Sequence, residues 1–118
     1  MDKHGINVNV ELNGVSLLME LDTRAGASLI SDEIYHKHFS IMLLKPSLTR
    51  LQTYKGKSIK VLGKITIGVK YCNQHANLTL VVVEGTGLSL FSRDWFAAIE
   101  LDWQNIFNLK GSLNFFDT

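Results

Sequence analysis

The chain has 118 residues, of which 46% are hydrophobic, enough for one small domain with a real core. Twelve basic residues against eleven acidic ones leave a formal charge of +1, which argues against a nucleic-acid-binding surface or a polybasic membrane anchor. A single cysteine, Cys72, excludes an internal disulfide, and no apolar run approaches 18 residues, so an intracellular, cytoplasmic setting is expected.

In chain order, period-two alternation dominates. Ile6, Val8, Val10 and Leu12 alternate with polar residues up to Asn13-Gly14, the strongest short hairpin signal. Val15, Leu17, Met19 and Leu21 return and end at Asp22. Ser31-Asp32-Glu33 reads as a cap with an acidic first turn, opening a short helix over 33–38. Lys45-Pro46-Ser47 breaks the chain, and two extended arms over 48–61 flank a polar tip of Tyr54, Lys55, Gly56 and Lys57. The lysines between Lys45 and Lys70 read as solvated hairpin faces.

Ile65, Ile67, Val69 and Tyr71 form another alternating strand, which turns at Cys72-Asn73-Gln74. The return over 76–83 becomes continuously apolar, the mark of burial on both faces. Gly85-Thr86-Gly87 is a turn, "LSLF" a short strand and 93–99 a short helix. "NIFNLKGSLNFF" reads as two further strands, with Phe115 and Phe116 on opposite faces. The sum is an all-β domain of seven or eight short strands with two short helices. Trp95 and Trp103 are expected in its core. His4, His36, His38 and His75 lack metal-ligand spacing, so neither a metal nor a cofactor is expected. A strand, polar loop and helix occur at 18–38 and again at 88–99, a faint internal echo.

"LMELDTRAGASLI", followed some sixty residues on by "GLSLFSRDWFAAIELDW", resembles the retropepsins. These are the aspartic proteases of retroviruses and of gypsy-type long-terminal-repeat retrotransposons. The resemblance spans nearly all of 1–118, as a single domain excised from a longer polypeptide. It implies a closed β-barrel with a flap hairpin, working as a homodimer on a peptide or polyprotein substrate. Each subunit then gives one Asp22 to a shared site, where two adjacent carboxylates hold one proton and supply both base and acid for peptide hydrolysis. By the same resemblance the Thr23 hydroxyl bonds across the dimer, Tyr54 to Lys57 form the flap tip, and Arg93, followed by Asp94, braces the Asp22 loop.

Two departures mark a degenerate, domesticated copy. The family has glycine after Asp-Thr and before Arg-Asp; this chain has Arg24 and Ser92. Family structure packs those glycines together beneath the site, so side chains there are expected to obstruct the cleft or strain the loop. Two guanidinium groups beside two carboxylates also favour a doubly ionised pair, which has no proton to give. The implied function is therefore an impaired or inactive aspartic endopeptidase. An active homodimeric enzyme and a non-catalytic dimerisation or peptide-binding module are the alternatives.

Overall fold

A computed structural model describes residues 5–52, 56–104 and 106. Strand β1 (Asn7–Leu12) and strand β2 (Val15–Leu21) form the first hairpin. Its two-residue turn needs a left-handed backbone twice, and Asn13 and Gly14 provide φ of 50° and 85°. The Asn13 side chain then accepts the Gly68 amide at 2.8 Å, pinning the turn to the neighbouring strand.

Strand β3 (Leu29–Ser31) leads directly into helix α1 (Asp32–His38). A short pair, β4 (Leu51–Gln52) and β5 (Ser58–Ile59), makes a separate two-stranded sheet. Among the described residues these arms pair at two positions, Leu51 with Ile59 and Gln52 with Ser58. The longest hairpin joins β6 (Val61–Tyr71) to β7 (Gln74–Val83) through Cys72 and Asn73. Strand β8 (Ser89–Phe91) and helix α2 (Arg93–Phe96) follow, the helix ending three residues before its expected limit.

Six strands close into a barrel in the order β1-β2-β8-β3-β7-β6, with β6 pairing back onto β1. β3 and the end of β7 are buried on both faces, which explains their unbroken apolar runs. Ile30, Leu80 and Val82 enter the main core with Leu12, Met19, Phe91 and Trp95. Leu29, Val81 and Val83 turn the other way, into a second cluster with Ala27 and Leu51. This second cluster is the floor on which β4 and β5 rest.

Trp95 lies in the core, its indole N–H donating to the Thr79 carbonyl at 2.9 Å. Trp103 does not: it is 41% exposed, its ring edge-on to Phe96 at the rim of the barrel. Ser31 occupies the N-cap position of α1, yet its hydroxyl makes no capping bond. The first-turn acids reach elsewhere instead. Asp32 Oδ1 accepts the Gly85 amide at 3.1 Å, and Glu33 Oε1 accepts the Gly87 amide at 2.8 Å. The expected tail strands, with Phe115 and Phe116, lie outside the described residues.

Candidate active site

Asp22 stands where β2 leaves the sheet. β2 runs parallel to β8, pairing Glu20 with Leu90 and Leu21 with Phe91. The Asp22 amide extends that ladder by donating to the Phe91 carbonyl at 3.1 Å. Beyond it the chain folds back on itself. Asp22 Oδ1 accepts the Arg24 amide at 3.0 Å, and the Asp22 carbonyl accepts the Ala25 amide at 3.3 Å. This is the local turn chemistry to which aspartate is suited.

The loop is held by Ser92, between β8 and α2, and by Asp94 of α2. The Ser28 amide donates to both Asp94 carboxylate oxygens, at 3.0 and 3.1 Å, and the Ser28 hydroxyl donates to Oδ1 at 2.7 Å. Ser28 Oγ in turn accepts the Ser92 amide at 2.8 Å. The Ser92 hydroxyl completes the chain by donating to the Ala25 carbonyl at 2.6 Å. Ser28 and Ser92 are wholly buried, so each of these bonds satisfies a group that would otherwise be stranded away from water.

Two expectations change at this point. The bonds to the loop come from the Asp94 carboxylate, whereas Arg93, the expected brace, is exposed and makes no hydrogen bond or ion pair among the described residues. Ser92 is accommodated without the clash its position suggested, because its small hydroxyl has a carbonyl to bond. Arg24 takes no left-handed backbone either: positive φ among the described non-glycine residues is confined to Asn13 and Cys72.

Asp22 and Arg24 both line a cleft of about 420 Å³, whose apolar walls are Leu29, Leu51, Ile59, Leu88 and Leu90. Arg24 Nε lies 4.0 Å from Asp22 Oδ1, with side chains 79% and 30% exposed respectively. Thr23 is exposed, and its hydroxyl has no partner among the described residues. Gly56 takes φ of 87°, as a hairpin tip demands, and Lys57 beside it is exposed. Tyr54 and Lys55, the rest of the expected flap tip, lie outside the described residues.

Ser28 is the functional position that sequence reasoning missed. Its only signal was a small polar residue inside an otherwise apolar strand entry.

The arrangement supplies one solvent-reached carboxylate at the end of an apolar groove, beneath a hairpin. No protein-family model and no curated protein sequence matches the chain. Solved structures do match. An EIAV protease bound to the inhibitor HBY-793 superposes with a TM-score of 0.67 at 18% identity, covering 80% of this chain and 88% of that one. The retroviral protease-like domain of Ddi1 from Leishmania major gives 0.59 at 11% identity, covering 81% and 78%. A retropepsin-like aspartic protease from Rickettsia conorii gives 0.58 at 21% identity, covering 80% and 72%. With its closed six-stranded barrel and an aspartate at the end of β2, the chain has the retropepsin-like fold of the aspartic proteases.

Proposed function

We propose that this domain is a retropepsin-type peptide-binding unit, derived from a retrotransposon protease, in which Arg24 impairs the catalytic step. Asp22 is the remnant of the catalytic carboxylate. The observation that carries the reading is the shared cleft: Arg24 and Asp22 line the same hollow, Nε to Oδ1 4.0 Å apart. Peptide hydrolysis by this chemistry needs two copies of the chain, because each supplies one Asp22. Two carboxylates must then share a proton and activate one water between them. A guanidinium at that position competes with water and with the substrate backbone for the same oxygen. The apolar walls, with the paired β4 and β5 among them, are retained, so an extended peptide can still be held there.

Arg24 alone carries the impairment, since Ser92 is bonded into the brace rather than wedged beneath it. The test is Arg24→Gly, assayed on an unstructured protein substrate between pH 4 and 7. The parent is expected to be silent, Arg24→Gly to cleave, and a further Asp22→Asn to silence it again. The active-enzyme reading draws support from the undistorted loop and the complete Asp94 brace. Efficient cleavage by the parent, abolished by Asp22→Asn, would establish that reading instead.

A further inference from the structure

The Asp22 cleft does not end at the short hairpin. Leu51 and Ile59, directly paired across β4 and β5, line it on one side and also line a second hollow of about 310 Å³. The second hollow differs in chemistry. Its lining includes Ser47, Thr49, Ser58 and Arg50. Among the described residues Arg50 has no carboxylate within ion-pair distance.

The stretch of chain that supplies these residues carries the same sign. Between Ile34 and Val83 the chain contains no aspartate or glutamate, while lysine and arginine recur. Lys57 and Lys60 flank β5 and are exposed. Clefts bordered by one sign of charge focus their field and raise the local concentration of the opposite sign.

We infer that the peptide held in the Asp22 cleft carries an acidic side chain received by the hollow of Arg50, Ser47, Thr49 and Ser58. The inference rests on the peptide-binding reading above and adds the class of peptide. Alternate side chains of an extended peptide fall on the same side, about 7 Å apart. Two hollows that share a pair of wall residues therefore suit two side chains of one strand. Asp22 would repel a carboxylate in the first hollow, which assigns the apolar side chain there. The second hollow offers a fork of guanidinium donors with three hydroxyls, the donor set a carboxylate needs.

The test uses the whole chain and fluorescent twelve-residue peptides with one apolar core. One series carries glutamate two positions from the core, another glutamine, and binding is read by polarisation at low and high salt. The glutamate peptide should bind about tenfold more tightly at low salt, with the gap narrowing as salt screens it. Arg50→Gln should remove that preference and leave the glutamine peptide unaffected. Equal binding of both peptides, or a preference that survives Arg50→Gln, overturns the acidic-peptide inference alone. Failure of every peptide to bind overturns the peptide-binding reading with it.

Discussion

Asp94 and Ser28, 66 positions apart, are joined by the serine amide and hydroxyl to one carboxylate, with contacts of 2.7 to 3.1 Å. The bonded carboxylate and its buried partner tie the two halves of the site together. Hydrogen bonds to a charged group contribute about 1.5–3 kcal/mol each, less where they share donors. Asp94→Ala should therefore lower unfolding stability by about 2–4 kcal/mol in urea, while exposed Arg93→Ala stays within about 0.5 kcal/mol. A larger loss at Arg93 than at Asp94 would contradict the assignment of the brace.

Ser92 gives a prediction of opposite sense to its reading as a damaged glycine. Its φ of −114° makes no demand for glycine. Ser92→Ala strands the Ala25 carbonyl and should cost about 1–3 kcal/mol. Ser92→Gly should cost still more, by about 0.5–1 kcal/mol, because glycine adds freedom to the unfolded chain. Thermal or denaturant melts of the two variants settle the order. A stabilised Ser92→Gly would show that the glycine was the better fit.

Gly63 marks the register shift in β6, where the strand bends under the segment carrying Lys45. A Cβ there would meet the Lys45 carbonyl at 2.8 Å, closer than a carbon can stand to a backbone oxygen. Gly63→Ala should force Lys45 away from Lys64, break their paired 2.9 Å amide bonds and cost about 1–3 kcal/mol. Faster amide exchange at both lysines is the expected sign; unchanged exchange would count against the close approach.

Burial pushes the Tyr71 hydroxyl above its ordinary titration range, against a smaller opposing effect from the Asp102 amide that bonds to it. Folding thus favours the neutral phenol. The stability this provides is complete below about pH 10 and is lost as pH rises through the higher folded value. Tyr71→Phe should flatten the fall in stability above about pH 10, and ultraviolet titration should show one tyrosine lagging. An unchanged alkaline slope would refute it.

Much of the barrel was legible because its signals are local. Asn13-Gly14, the alternation through Ile65 to Tyr71 and the apolar end of β7 each declare themselves within a few residues. β3 was not legible: three residues are too few to show a period, and it is a strand only because β7 and β8 flank it. The position of Asp22 followed from the strand that ends on it. The brace did not, because Ser28 and Ser92 look like ordinary loop serines until the fold brings them together. Trp103 differs from the expectation for a related reason: aromatic size favours burial, but its ring meets Phe96 at the rim and stays 41% exposed.

Asp32 and Glu33 are not among the residues that line the cleft, yet they hold the two glycine amides of the turn that ends in Leu88, one of its walls. The breadth of the groove is thus set partly from outside it, by two side chains of the first turn of α1. Evolution can retune what such a groove admits by altering the anchors of its wall, leaving every residue that faces a ligand untouched.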